Sequence, residues 1–298
     1  MRVVLFLFLF FLILGCTREG KLGSKSNPIK LYFTPSVDAE TIISNSSEFI
    51  KFLEQETGLF FKTGVPTSYI AVVEAFGSER ADIAVMNSFG YLMANEKYAA
   101  TARLRVMRYG DDSYRGEIIA RVDRGINSIK DLNNKKFAFT DSSSTSGYMF
   151  PLKILKENGV TLGSHVFAMK HDNVVTMVYQ GQVDAGACYW SPPSEKGEMR
   201  DARARVLTQF PDVEKKIKIL GLTEKIPNDP FVFRKNLSDK IVSAFIAAVK
   251  KFISTEKGKE VFENIYGVDG LVDAVDADWN GLRDMIKTIN LDPQTLVK

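Results

Sequence analysis

Hydrophobic residues along the chain alternate between short β-forming runs and longer segments in which apolar positions recur at helical spacing. The first run, IKLYFTP, begins at Ile29. Apolar positions at Phe49, Ile50 and Leu53 then lie on one face of a helix that Gly58 can end. The same pattern predicts strands over 59–66 and 81–87 and helices over 67–76 and 88–100. This regular alternation indicates a parallel α/β sheet.

A second series of the same kind begins after RGEIIARVD, residues 115–123. Its predicted strands are 136–140, 165–170 and 183–190, and its predicted helices are 128–134, 147–158 and 172–181. The rest of the chain predicts a strand at 217–222, a turn at 226–230, an extended segment at 231–235 and helices over 238–254, 257–265 and 277–287.

Two α/β series with a C-terminal return predict two lobes, and the length of 298 residues suits them. We expect the chain to cross between the lobes near Tyr114–Glu117 and Pro227–Phe231. Lobe one then comprises 28–115 and 228–298, and lobe two comprises 116–227. A ligand is expected in the cleft between them, where strand ends and helix N-termini face it.

The first residues have the pattern of an export signal. Arg2 precedes an apolar run that ends at Leu14 and is too short to span a bilayer, so residues 1–15 are predicted to be a signal peptide. The sequence Ile-Leu-Gly-Cys, ending at Cys16, resembles a bacterial lipobox. That resemblance implies acylation of the Cys16 thiol and an exported, lipid-anchored protein facing the periplasm or the cell exterior. The alternative is an ordinary signal peptide with a chance cysteine.

Polar residues 16–27 are expected to form a flexible tether, so that the folded part begins near Pro28. Cys188 is the other cysteine in the chain, and acylation of Cys16 would leave no intramolecular disulfide possible. We therefore expect Cys188 to be a small, buried apolar side chain.

Composition and charge narrow the function classes. Hydrophobic residues make up 45% of the chain and charged residues 25%, as in a soluble globular protein. The 39 basic and 36 acidic residues are spread along the chain, which argues against nucleic-acid binding through a basic stripe. With two histidines, no metal-ligand cluster is evident, and we expect neither a metal nor a cofactor.

The segment TDSSSTSGYMFP, residues 140–151, concentrates hydroxyl groups between predicted strand 136–140 and predicted helix 147–158. Free backbone N–H groups and the positive end of the helix dipole make a helix N-terminus an anion site, and hydroxyl donors improve it. Such a site needs no fixed positive charge. The alternative is that these residues only cap the helix and form a turn.

A longer stretch around this segment, INSIKDLNNKKFAFTDSSSTSGYMFP, resembles the phosphate/phosphonate-binding family of periplasmic solute receptors. The family pattern D-x-x-S-T-S-G-x-x-x-P is matched by Asp141, Ser144, Thr145, Ser146, Gly147 and Pro151. The resemblance continues through ADIAVMNSFGY, QGQVDAGA and IPNDPFVFRKNL. It implies a two-lobed, type II periplasmic-binding-protein fold and a receptor that closes on a phosphorus oxyanion for an ABC importer.

The resemblance also implies a set of ligand-binding residues. Ser144, Thr145 and Ser146 would cradle the phosphoryl oxygens, with His171 from the same lobe and Tyr69 and Asp229 from the opposite lobe. Each of the last three also has a structural interpretation: His171 as a helix cap, Tyr69 as packing and Asp229 as a turn residue before Pro230.

Asp229 would restrict the ligand class. A carboxylate beside an anion is repulsive unless the ligand donates a proton to it. Hydrogen phosphate, phosphite and phosphonates can do so, whereas sulfate at neutral pH cannot. A site built on such a hydrogen bond can reject the mismatched ligand by roughly 10⁴-fold.

The chain departs from the family pattern at two places. Aminoalkylphosphonate receptors of this family carry an acidic residue after the strand that ends near Trp190, but here Tyr189 and Trp190 lead into Ser-Pro-Pro. A ligand with little or no cationic substituent is therefore expected, with Tyr189 and Trp190 as a pocket wall or Trp190 as core. Asn87 and Ser88 are expected to donate to the ligand or to cap the helix that follows them.

The function predicted from these residues is an ABC-importer receptor for phosphonate, phosphite or phosphate, acting as a monomer beside its permease. A receptor that presents its ligand to a membrane signalling kinase would have the same cleft. A hydrolase is the alternative from another class, because Ser144, His171 and Asp229 supply the residue types of a triad. The sequence contains no G-x-S-x-G motif, which argues against it.

Overall fold

The computed structural model describes residues 20–36 and 38–289. The predicted signal peptide and Cys16 lie outside these residues. Within them, no helix is both long and apolar enough to cross a membrane.

Strands and helices alternate through most of the chain. The strands are β1 (Ile29–Phe33), β2 (Phe61–Gly64), β3 (Ile83–Val85), β4 (Thr101–Arg108), β5 (Ser113–Arg121), β6 (Lys136–Phe139), β7 (Ser164–Phe167), β8 (Ala185–Trp190), β9 (Ile217–Leu222), β10 (Ile226–Pro227), β11 (Pro230–Phe233) and β12 (Val268–Asp273). The α-helices are α1 (Ala39–Thr57), α2 (Tyr69–Gly77), α3 (Ser88–Tyr98), α4 (Phe150–Glu157), α5 (His171–Tyr179), α6 (Val213–Lys216), α7 (Asp239–Ile253), α8 (Glu256–Tyr266) and α9 (Asn280–Thr288). The predicted helix over 128–134 is a 3₁₀ turn, Ile129–Leu132.

The first sheet has the strand order β12-β4-β11-β3-β1-β2, and we call this sheet with its helices lobe one. The neighbours of β1 run parallel to it, as predicted, whereas β11 and β12 pair antiparallel. Strand β4 was not predicted, although Ala102, Leu104 and Val106 alternate as buried residues with more exposed ones. That alternation is typical of a half-buried strand.

The second sheet, with its helices, is lobe two. Its order is β10-β5-β8-β6-β7, and β9 pairs with β5 on the edge opposite β8, beside β10. Strands β6, β7 and β8 are parallel, and β5 joins them antiparallel to β8. The carboxyl ends of β6 and β8 therefore lie at the same edge of this sheet.

The chain passes between the sheets in two short connections. The first connection lies between Arg108 and Ser113, so the predicted position at Tyr114–Glu117 is wrong: these residues lie inside β5 and pair with β8 or β10. The second connection is Asn228–Asp229, between β10 and β11. Functional residues next to these connections are thereby held at the boundary between the lobes.

One buried apolar cluster extends across that boundary. It contains Met149 and Phe150, at the start of α4 in lobe two, together with Phe89 and Trp279 of lobe one. Shared burial of this kind holds the lobes close together around the cleft.

Residues 20–27 do not form the flexible tether that the sequence predicted. The backbone N–H of Phe60 donates to the carbonyl of Gly23, and Leu22 packs against the core of lobe one. Gly23 adopts a φ of +86°, which glycine tolerates without strain. The Asn27 side chain closes this turn by donating to the carbonyl of Gly20 at 2.9 Å.

We expect Leu22→Ala to lower the free energy of unfolding by on the order of 1 kcal/mol, because it removes a partly buried apolar side chain. Lys25→Ala is the control, since Lys25 is exposed in the same turn and its truncation should be near neutral. Chemical denaturation of both variants checks this. Equal stabilities would show that the segment does not contribute to the fold.

Candidate ligand-binding site

A cavity of about 710 Å³, part of it open to solvent, lies between the two lobes. Its walls come equally from both. The residues of lobe one and of its connections are Thr34, Ser36, Tyr69, Val85, Asn87, Arg108, Tyr109 and Asp229, and those of lobe two are Tyr114, Ser144, Ser146, His171, Tyr189, Ser191, Arg200 and Arg205.

The hydroxyl cluster follows β6 directly, and its residues are buried. A five-residue π-helical turn, Thr145–Met149, leads from the cluster into α4, and the Ser144 hydroxyl caps that turn by accepting from the Gly147 N–H at 3.0 Å. Asp141 accepts from the N–H and the hydroxyl of Ser143, so Ser143 stabilises the turn. Ser144 and Ser146 are the members of the cluster that line the cavity.

Glycines on both sides of the turn let the hydroxyl cluster pack closely against Thr140 and β5. A Cβ on Gly147 would lie 2.2 Å from the Thr140 hydroxyl oxygen, and a Cβ on Gly116 would lie 2.6 Å from the Ser146 carbonyl oxygen. Any side chain at either position would displace the cluster. The glycine in the Ser-Thr-Ser-Gly motif is thus a packing requirement.

Thr145 does not line the cavity, in contrast to the prediction. Its buried hydroxyl oxygen faces lobe one, where it accepts from the Phe89 N–H at 2.9 Å and from the Asn87 side-chain amide at 3.0 Å. Asn87 also donates to the carbonyl of Ser143 at 2.7 Å. Since Asn87 makes no capping bond to its own helix, Thr145 caps α3 from the opposite lobe.

Two other predicted residues are not at the cavity. The Ser88 hydroxyl donates to the carbonyl of Pro227 in β10 at 2.6 Å and accepts from the Trp279 indole N–H at 2.9 Å, so it is used within the fold. Trp190 is half-buried and lies outside the cavity wall, whereas Tyr189 is part of it.

His171 is the first residue of α5 and is almost fully buried. Its Nδ1 lies 3.2 Å from the Thr140 hydroxyl oxygen, and its ring meets the Tyr189 ring edge-on with centroids 5.0 Å apart. Burial, together with the charges of Arg205 and Arg108, lowers the pKa of His171 to about 3. His171 is therefore neutral at physiological pH in the ligand-free protein.

Asp229 is paired with a residue that the sequence analysis missed. Its Oδ2 accepts from Arg108 Nη2 at 2.6 Å, and Arg108 also donates to the Asn228 side chain at 3.3 Å. Burial is the largest single effect and lowers the pKa of Arg108, but the charge and the hydrogen bond of Asp229, together with Tyr114 and Tyr189, outweigh it, and the net effect on the pKa is upward. The expected isolated carboxylate is thus an ion pair, and the cavity does contain fixed positive charge.

Arg200 and Arg205, which the sequence analysis also missed, follow β8 and reach the same cavity. The Arg200 guanidinium carbon lies 4.1 Å from the centroid of the Tyr109 ring, and Arg205 Nε donates to the Tyr189 hydroxyl at 3.1 Å. The signal in the sequence was the run of arginines in MRDARARV, between predicted strands at 183–190 and 217–222.

The side chains of the suggested hydrolase triad make their hydrogen bonds elsewhere. Ser144 accepts from Gly147, His171 contacts Thr140, and Asp229 pairs with Arg108. In the part of the chain that the structure describes, no group of His, Cys, Asp and Glu could hold a metal ion. Cys188 is fully buried, as predicted, and its thiol donates to Glu117 at 3.2 Å.

A protein-family model matches residues 31–279, and its description is the periplasmic substrate-binding protein of a phosphonate ABC transporter. The phosphate-import protein PhnD of Mycolicibacterium smegmatis is 29% identical over 175 residues, which cover 54% of this chain and 54% of that protein. The phosphonates-binding periplasmic protein of Escherichia coli is 23% identical over 229 residues, which cover 73% and 64%. The chain thus spans about half to two thirds of the length of these curated relatives.

Solved structures confirm the predicted two-lobed periplasmic-binding-protein fold. A binding-protein component of an ABC phosphonate transporter from Pseudomonas aeruginosa superimposes with a TM-score of 0.77 at 20% identity, covering 88% of this chain and 86% of that one. PhnD1 of Prochlorococcus marinus in complex with methylphosphonate gives 0.74 at 18% identity, covering 88% and 98%. At these identities the likeness concerns the fold.

We expect Thr145→Val to lower the free energy of unfolding by about 1 kcal/mol, because it keeps the side-chain shape but removes the oxygen that caps α3. Thr145→Ser retains that oxygen and should have a much smaller effect. Chemical denaturation compares the two variants. Equal losses would mean that the threonine methyl group, and not the cap across the lobes, is what stabilises the protein.

The depressed pKa of His171 predicts a pH dependence of stability. Unfolded histidine titrates near 6.5, so below that pH the unfolded state binds a proton that the folded state does not, and stability falls as the pH drops. Between pH 6.5 and 5.5 the wild-type protein should lose about 1 kcal/mol more than His171→Gln. Ligand-free denaturation curves at both pH values test this, and equal losses would contradict it.

Proposed function

The chain belongs to the family of periplasmic substrate-binding proteins of phosphonate ABC transporters, and from this membership and the geometry of its cleft we propose that it closes its two lobes around a phosphorus oxyanion. Phosphonate, phosphite and phosphate are the candidate ligands. The closed receptor would deliver the anion to an ABC permease.

The convergence of helix N-termini on the cavity carries this proposal. Tyr69 and His171 are the first residues of α2 and α5, Asn87 precedes α3, and Ser144 caps the turn that leads into α4. All of them line the same cavity, and they come from both lobes. Each helix start has a positive dipole end, which favours an anion at the centre, and backbone N–H groups that are not capped can donate to that anion.

The ion pair between Asp229 and Arg108 determines which carboxylate oxygen can contact the ligand. Arg108 engages Oδ2, and among the described residues no donor is bonded to Oδ1 of Asp229. Oδ1 can therefore accept a hydrogen bond from a protonated phosphate, phosphite or phosphonate. Sulfate has no proton to give at neutral pH and would be held against a carboxylate oxygen.

The remaining parts of the proposal concern the whole protein. We place it outside the cytoplasm, attached to the membrane by lipid on Cys16 after removal of residues 1–15, and acting as a monomer. We assign it no catalytic activity. The hydrogen bonds of Ser144, His171 and Asp229 support this, because each side chain is used to build the cleft and none activates another.

Titration calorimetry of the ligand-stripped protein with methylphosphonate, phosphite, phosphate and sulfate tests the proposal. We expect binding of phosphorus oxyanions and a preference for phosphate over sulfate that falls by roughly tenfold or more in Asp229→Asn, because the amide no longer repels sulfate. Asp284→Asn is the matched control on the exposed surface of α9. An unchanged preference in Asp229→Asn would refute the role of this carboxylate.

A further inference from the structure

Arg200 and Arg205 add positive charge to a cavity in which the hydroxyl cluster already supplies neutral donors for an oxyanion. Arg108 is neutralised by Asp229 at 2.6 Å, and His171 is uncharged at physiological pH. Among the described residues neither Arg200 nor Arg205 forms an ion pair. The described side chains that line the cavity therefore carry two uncompensated positive charges.

These two guanidinium groups are held in place by aromatic residues. Arg200 lies over the Tyr109 ring, and Arg205 Nε is bonded to the Tyr189 hydroxyl. Arg205 uses Nε for this bond, and among the described residues no acceptor is bonded to its two terminal nitrogens, which can therefore bind a ligand. Stacking of this kind reduces the rotamer freedom that an arginine loses when it binds.

The two arginines are more exposed to solvent than the serines of the hydroxyl cluster. Arg200 is half-buried and Arg205 is exposed, whereas Ser144 and Ser146 of the cradle are each 2% exposed. Arg200 and Arg205 also come from a different segment, the loop and 3₁₀ turn that follow β8. The cavity thus has buried neutral donors and more exposed cationic donors.

We infer that the ligand carries a second anionic group, and that Arg200 and Arg205 bind this group while the hydroxyl cradle holds the phosphoryl group. A phosphonocarboxylate has this chemistry, because the planar guanidinium fork matches a carboxylate bidentately. The inference rests on the proposed function, since it concerns the same cleft. It also predicts that a ligand with an ammonium group in that position is repelled.

Calorimetry with phosphonoacetate, methylphosphonate, 2-aminoethylphosphonate and pyrophosphate tests the inference on the wild-type protein, on Arg200→Gln and on Arg205→Glu. We expect the wild-type protein to bind phosphonoacetate at least roughly tenfold more tightly than methylphosphonate, since hydrogen bonds to charged groups are the stronger kind. The preference should fall by about tenfold in Arg200→Gln and further in Arg205→Glu.

The affinity of Arg205→Glu for 2-aminoethylphosphonate distinguishes a lost contact from a damaged fold, because only the former lets this affinity rise. This variant should bind 2-aminoethylphosphonate more tightly than the wild-type protein does, because a carboxylate replaces a cation opposite the ammonium group. Arg124→Gln removes an exposed arginine outside the cavity and should leave all four affinities unchanged.

The outcomes separate this inference from the proposal on which it rests. Binding of methylphosphonate as tight as that of phosphonoacetate would overturn the second anionic group and leave the oxyanion receptor intact. Tighter binding of pyrophosphate than of phosphonoacetate would overturn the carboxylate assignment. Absence of binding by every phosphorus compound would overturn the proposed function itself.

Discussion

Buried N–H groups at helix N-termini must find hydrogen-bond acceptors, and this requirement organises the cleft between the lobes. At α3 the acceptor is the Thr145 hydroxyl of the opposite lobe. At the turn before α4 it is the Ser144 side chain, which leaves the hydroxyl proton of Ser144 free to donate elsewhere. The protein satisfies some of these donors itself, and we propose that the bound anion accepts from others.

The charges around the cleft follow from the same use of neutral hydrogen-bond donors. Neutral groups can hold an oxyanion in a buried place without the cost of burying an unpaired cation. Where an arginine is nearly buried, as Arg108 is, Asp229 compensates its charge. The uncompensated arginines lie nearer to solvent, where water reduces that cost. Burial and the neighbouring arginines together keep His171 neutral, so it does not add a charge that would repel Arg108 and Arg205.

Much of the fold could be predicted from hydrophobic periodicity, because most strands and helices have one buried face. The missed strands β4 and β12 carry charged residues or a glycine, which conceal the alternation. The 20–27 segment looked like a linker by composition, yet it is ordered by a turn at Gly23 and by Leu22, which a composition argument does not weigh.

The prediction of the site was limited because the sequence does not show in which direction a side chain points. The position of Ser144 and Ser146 at a helix start indicated an anion site, and the family resemblance implied His171, Tyr69 and Asp229. All five line the cavity. Nothing in the local sequence indicated that the Thr145 hydroxyl faces the other lobe or that Ser88 is committed to Trp279, because both depend on residues distant in sequence. The three arginines were missed for the same reason: their importance arises only when two lobes meet.

If the lobes close around an anion as we propose, the apolar cluster that joins them makes this closure sensitive to temperature. Any motion that separates Met149 and Phe150 from Phe89 exposes apolar surface to water, and such exposure raises the heat capacity. The balance between open and closed forms should then follow a curve against temperature and not a straight line. Cooling weakens the hydrophobic contact between the lobes. At low temperature the closed form would therefore depend more on polar contacts.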